Sequence, residues 1–198
     1  MHGLLHPRLR NPHRIFEGRP SRVYDFASRR LIRNLYRRIA ADIAQLAPAG
    51  ARVLDIGTGP GVLLVELAAL RPDARLTGVD LSADMVASAR RNLEPYADRA
   101  SAQVADVTHL PFEDNSFDLI VSSLSLHHWD NPEAAVPELA RVLRPGGRVQ
   151  IYDFPFAPFE RLTKAAAQAG SVLSGRSPRV PLRTGVAFLP CERYVMSS

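Results

Sequence analysis

Between Val53 and Gly61 the sequence reads V-L-D-I-G-T-G-P-G, an apolar run that enters a turn with glycine at 57, 59 and 61 and continues into the apolar segment Val62 to Leu70. A strand that reverses into a helix within so few residues needs backbone conformations that a Cβ disfavours. The missing side chains also let another molecule approach the main chain closely. The pattern confines the chain to folds in which a sheet strand is followed at once by a helix. The spacing is G-x-G-x-G rather than the G-x-G-x-x-G of dinucleotide enzymes, which argues against NAD or FAD. On the glycines alone, a bare tight turn remains the alternative to a binding loop.

The rest of the chain repeats the alternation. Arg52 to Gly57, Arg75 to Asp80, Ser101 to Ala105, Phe117 to Ser123 and Arg148 to Phe154 read as strands, and Val62 to Leu70, Ser82 to Leu93 and Asn131 to Leu143 as helices, with Ser82 and Asn131 as caps. Such an order implies right-handed crossovers and a mostly parallel sheet covered on both faces. The expected fold is doubly wound α/β, with seven strands and a C-terminal antiparallel hairpin formed by Thr184 to Leu189 and Glu192 to Met196. A further helix covers Phe159 to Ala169. Pro137 falls inside a helix, where it removes a backbone bond, so a kink or restart is expected there.

Upstream, Ile32, Leu35, Ile39, Ile43 and Leu46 recur at spacings of three and four, which marks the buried stripe of an amphipathic helix from Ser21 to Leu46. Residues 1–20 read as an irregular basic arm, and 21–198 as a single domain. At 198 residues the chain has room for one such domain and its core. The net charge of +5 is concentrated: Met1 to Arg38 holds ten arginines against Glu17 and Asp25, a local +8, so the remaining residues carry −3. Such a segment suits nucleic acid, a membrane surface or an acidic substrate, or is simply a solvated helix face. The single cysteine, Cys191, excludes an intramolecular disulfide and a cysteine-rich zinc site. No apolar run is long enough for a transmembrane helix and no secretory signal is recognisable, so a cytoplasmic location is expected.

Two acidic positions follow the glycines at telling distances. Asp80 closes the strand L-T-G-V-D, where a carboxylate can accept both hydroxyls of a ribose. Its alternative role, capping the next helix, is one that Ser82 can fill. Asp106 ends the third strand and is followed by L-P-F-E-D-N-S-F-D from Leu110 to Asp118. Leu126 to Pro132 reads L-H-H-W-D-N-P, and Leu139 to Gly147 reads L-A-R-V-L-R-P-G-G. Assembled in this order, the segments from Val53 to Asp153 resemble the class I S-adenosylmethionine (SAM)-dependent methyltransferases, in particular the small-molecule branch that includes the ubiquinone and menaquinone methyltransferases.

That resemblance implies SAM as cofactor, with S-adenosylhomocysteine as product, and a role for each matching position. Asp55, Gly57, Gly59 and Gly61 would surround the methionine part, and Asp80 would bind the ribose. Leu81 and Met85 would pack on the adenine, although plain core packing is an equal alternative for Met85. Asp106 would accept from the adenine amino group beside the Val107 amide, and Ser122 and Ser123 would border the methionine amino group.

SAM carries an activated methyl group, so transfer needs mainly alignment and exclusion of water. A general base is required only where the acceptor must lose a proton. His127 and His128 follow the fourth strand and are the candidates, His128 first, with helix-start or wall packing as the alternative. No metal site is expected. Ser122-Ser123-Leu124-Ser125 lacks the Asn/Asp-Pro-Pro-aromatic sequence of base amino-methylating enzymes, and the lone cysteine disfavours cytosine-C5 chemistry. The expected acceptor is a small organic molecule. An RNA-modifying enzyme that uses the basic N-terminus, or a SAM-binding protein of the same fold without transfer, are the rival readings. The stretch after the fifth strand is short for a lid, so the helix from Ser21 to Leu46 is expected to cover the pocket, with Tyr24 and Phe26 reaching the acceptor. The sequence leaves the oligomeric state open, with a homodimer as one option.

Overall fold

The computed structural model describes residues 22–171, 173, 175–176, 178–182 and 190–197, with backbone alone for 22–31 and 175–176. The N-terminal arm and the expected strand Thr184 to Leu189 lie outside the described residues.

The elements run α1 (Arg22–Leu46), β1 (Arg52–Ile56), α2 (Val62–Leu70), β2 (Arg75–Asp80), α3 (Ala83–Leu93), β3 (Ala100–Val104) and β4 (Phe117–Ser123). They continue with α4 (Pro132–Val142), β5 (Leu143–Asp153), α5 (Phe159–Gln168), β6 (Gly175–Arg176), β7 (Val180–Leu182) and β8 (Cys191–Ser197). The sheet order is β3-β2-β1-β4-β5-β8-β6, with β7 also on β8. β1 to β5 pair in parallel, and β8 runs antiparallel to β5, Tyr152 opposite Arg193. β7 and β8 form the C-terminal antiparallel hairpin, Val180 opposite Arg193. The chain order reverses between β1 and β4, which opens a crevice at their C-terminal ends, the usual position of a ligand in such sheets.

Two apolar layers flank the sheet. One joins Leu35, Ile39 and Ile43 of α1 to Leu63, Leu64 and Leu67 of α2 and Val86 and Ala89 of α3. The other joins Val136 and Leu139 of α4 to Phe159 and Leu162 of α5. The stripe expected on α1 is buried only in its middle. Ile32 and Leu46 stay exposed, at 46% and 38% of their surface, because the sheet supports only the central turns. α1 is also held by charge. Arg193 of β8 lies 2.8 Å from Asp42 Oδ2, which the Tyr152 hydroxyl approaches to 2.8 Å. Arg33 and Arg37 donate to the two carboxylate oxygens of Glu66 on α2 at 2.8 and 3.3 Å. Part of the arginine stripe therefore fastens helix to helix.

Residues 105–116 between β3 and β4 form turns, bends and an isolated bridge, Asp106 opposite His109, and their polar, proline-containing run has no apolar stripe to dock a helix. Two local expectations change. α4 passes through Pro137 without a restart. Pro137 is exposed, so the carbonyl its ring leaves unpaired can face water. β5 begins at Leu143 rather than Arg148, with an irregular register opposite Phe117 and Leu119 that absorbs Pro145 and the two glycines.

Candidate functional site

The glycine turn sits at the C-terminal end of β1. Gly57 has φ +69°, and a Cβ there would run into the Ser125 side chain. Gly59 has φ +53° with open space where its Cβ would stand, a cradle open to a ligand. The amides of Gly57 and Thr58 both donate to Val79 O at 2.9 Å, which clamps the turn onto β2.

Asp80 is fixed by two amides, accepting from Gly59 N at 2.8 Å on Oδ2 and from Ser82 N at 2.9 Å on Oδ1. Each carboxylate oxygen has two acceptor positions, so the held group retains capacity for ribose hydroxyls. Ser82 Oγ accepts from Met85 N at 3.3 Å and caps α3, leaving Asp80 free of that duty. Leu81 and Met85 are exposed, at 69% and 45%, which excludes core packing for Met85 in this chain. Asp106 is exposed beyond β3 and accepts from both Thr108 N and Oγ1 at 2.8 Å on Oδ1. The Thr108 amide, then its hydroxyl, holds the Asp106 carboxyl below its ordinary range. Val107 packs against the second apolar layer.

Asp55 is fully buried. Its Oδ2 accepts from Thr58 Oγ1 at 2.8 Å, and its Oδ1 has no partner among the described residues. Burial, reinforced by the charge of Asp80, pushes the Asp55 carboxyl up to about 7. Ser122 Oγ, at the end of β4, is also buried and has no partner among the described residues. Ser123 is buried beside it. Two unsatisfied oxygens at one end of β1 and β4 are costly unless a polar ligand reaches them. A methionine ammonium is a donor of the right kind, and with the open space at Gly59 these residues fit SAM.

The chain then turns sharply. Leu124 adopts φ +52°, an uncommon left-handed conformation for a branched residue, and its amide donates to Tyr152 O at 2.7 Å. Ser125 Oγ accepts from Trp129 Nε1 at 2.8 Å. His127 Nδ1 lies 2.7 Å from Asp153 Oδ1, and the His127 amide donates to Asp153 Oδ2 at 3.2 Å. Asp153 is fully buried at the end of β5. His128 is exposed, with its ring 4.0 Å from that of His127. Phe154 and Phe156 stack at 5.3 Å and 14°, and both rings adjoin His127. Phe156 is 75% exposed.

From α1, Tyr36 reaches the same edge. Burial, then the negative charge of Asp55, pushes its phenol up to about 12, against the lowering effect of the Ser123 hydroxyl. The structure thus draws Asp55, the glycine turn, Asp80, Ser122, Ser123 and His127 to one edge. It adds Asp153, Tyr36 and Phe156, which sequence reasoning missed. The D-F-P-F run at 153–156 after the fifth strand was the available signal. Tyr24 and Phe26 lie in the first turns of α1, and their side chains are outside the described residues. Among the described residues no His, Cys, Asp and Glu cluster could hold a metal ion, and no helix is long and apolar enough to cross a membrane.

Residues 54–151 match the methyltransferase-domain family. The chain is 38% identical over 137 residues to the ubiquinone/menaquinone biosynthesis C-methyltransferase of Geotalea daltonii, a match covering 66% of this chain and 58% of that protein. It is 38% identical over 123 residues to the demethylmenaquinone methyltransferase of Thermus thermophilus, covering 62% and 56%. The chain therefore matches somewhat over half the length of these curated relatives. In fold it is similar to a SAM-dependent methyltransferase from Aquifex aeolicus, with TM-score 0.64, 20% identity, and 75% and 82% of the two chains covered.

Proposed function

We propose, from the premise that this chain belongs to the class I SAM-dependent methyltransferases, that it transfers a methyl group from SAM to a small organic acceptor. The observation that carries this reading is the pairing, at one sheet edge, of the unpartnered oxygens of Asp55 and Ser122 with a histidine oriented by Asp153.

Asp55 Oδ1 and Ser122 Oγ would hold the methionine ammonium, and Asp80 the ribose hydroxyls. Asp106 Oδ2 would accept from the adenine amino group near the Val107 amide, with Leu81 and Met85 against the ring. SAM supplies an electrophilic methyl group on a sulfonium. Asp153 holds the His127 ring with Nδ1–H donated to its carboxylate, which leaves Nε2 as an acceptor for a proton of the acceptor molecule. His127 thereby takes the role expected first of His128, because the Asp153 carboxylate orients its ring. α1, through Tyr36, closes the edge against water over Asp55 and Ser123. The names of the relatives support a small organic acceptor rather than a nucleic acid, and a location in the cytoplasm accords with this chemistry.

The test is incubation with methyl-labelled SAM and a panel of phenols, quinols and amines, and in parallel with RNA, followed by mass analysis. A singly methylated product together with S-adenosylhomocysteine is expected. Labelled RNA with no labelled small molecule would overturn the choice of acceptor.

A further inference from the structure

At the opposite end of the sheet, where β1, β2 and β3 begin, a cavity of about 300 Å³ opens. It lies on the side of the sheet where Phe112 and Phe117 pack, beside the turns of residues 105–116. Arg52 and Arg75 open β1 and β2 as direct neighbours in parallel register, and both line the cavity. Neither side chain forms an ion pair within 4 Å among the described residues. Like charges placed side by side on adjacent strands repel and lower stability. Asp98 lines the same cavity, and against burial the Arg52 amide, Arg144 and the charge of Arg52 hold the Asp118 carboxyl below its ordinary range, yet both carboxylates have other partners. Asp118 accepts from the Arg52 amide at 2.8 Å and from Arg144 Nη1 at 2.7 Å, and Asp98 pairs with Arg99.

Further residues line the cavity. Arg99 lines the same cavity. Its Nη2 donates to Ala68 O at 3.1 Å, but its buried Nε–H has no partner among the described residues. That guanidinium turns toward α2, lies over the Tyr96 ring at 5.0 Å and pairs with Asp98. The next registered pair, Thr77 and Ser101, adds two hydroxyls to the wall. Phe112 and Phe117, packed edge to face at 4.9 Å and 85°, form an apolar side.

The geometry points to a second binding site, distinct from the cofactor crevice, that takes a small phosphorylated molecule, with its phosphate bridging Arg52 and Arg75 and its apolar body against Phe112. Guanidinium forks match phosphate oxygens in pairs, and an anion between the two arginines turns their repulsion into shared attraction. A volume of about 300 Å³ is at the small end of ligand pockets and excludes a bulky occupant. The site lies about 15 Å from the crevice along the strands, so occupancy does not require the cofactor position.

The experiment is calorimetric titration of inorganic pyrophosphate into the full chain at constant ionic strength, with and without saturating S-adenosylhomocysteine. Binding in the submillimolar range is expected, unchanged by S-adenosylhomocysteine. Arg52→Gln and Arg75→Gln should each weaken it at least fivefold, and the double variant should abolish it without lowering the melting temperature of the free protein. Absence of binding at millimolar pyrophosphate, equal binding by the double variant, or displacement by S-adenosylhomocysteine would each overturn the proposal. If the double variant does not fold, Thr77→Val with Ser101→Ala serves instead, and unweakened binding by that variant overturns it.

Discussion

His127 Nδ1 lies 2.7 Å from Asp153 Oδ1, joining the turn after β4 to the buried end of β5. A carboxylate that fixes one ring nitrogen as donor leaves the other as acceptor, the arrangement a general base needs. His127→Gln is expected to lower turnover of a hydroxyl acceptor by about 10²- to 10⁴-fold. Affinity for S-adenosylhomocysteine should change by less than about threefold, because the lost interaction acts in the transition state. Asp153→Asn should lower turnover too, and the double variant should be little worse than His127→Gln. The measurement is steady-state kinetics beside calorimetry. Unaltered turnover in His127→Gln would assign the residue to packing.

The core of this arrangement was legible because it is local. The glycines, Asp80 and the strand and helix alternation are written in contiguous segments whose periodicity and turn chemistry act over a few residues. The choice between His127 and His128 was not, since adjacent histidines differ only in what the fold brings to them, and Asp153 is 26 residues further on. Tyr36 was hidden for the same reason: on a helix with a regular apolar stripe it reads as another packing residue.

Asp80 is held by the Gly59 and Ser82 amides in the position proposed for ribose binding. Asp80→Ala should weaken SAM binding by about 2 kcal/mol or more, close to thirtyfold, since buried hydroxyls lose a charged acceptor. Calorimetry on the two proteins reads this directly, and equal affinities would remove Asp80 from the site.

The raised carboxyl of Asp55 makes stability and binding depend on pH in opposite senses. Its ordinary value of 3.8 rises to about 7 in the folded chain, so the fold binds a proton that the unfolded chain has released. The resulting stabilisation is complete below the unfolded value and is lost as pH rises through the folded one. Asp55→Asn cannot ionise. Its melting temperature should exceed that of the wild type by several degrees at about pH 8.5 and by less at about pH 5.5. The ionised carboxylate is the form that suits a methionine ammonium, so wild-type affinity for S-adenosylhomocysteine should rise between about pH 6 and pH 8, a rise the variant lacks. A pH-independent difference in melting temperature would contradict the account.

α1 buries Leu35, Ile39 and Ile43 in the core and extends Tyr36 to the crevice, so its later turns belong to the fold, and the closure proposed for the helix falls to its first turns. A chain that begins at Ala27 should fold and bind SAM within about tenfold of the full chain, yet lose most methyl transfer, because exclusion of water serves chiefly the transition state. Melting curves and turnover on the two chains decide it, and full activity in the shortened chain would refute the cover.

The central claim is that the edge formed by Asp55, the glycine turn, Asp80 and Ser122 is a SAM site. Isothermal titration of S-adenosylhomocysteine into the full chain tests it most directly. A single site with dissociation constant on the order of micromolar, about −8 kcal/mol, is expected. No detectable binding by a protein whose circular dichroism and melting curve show it to be folded would contradict the account.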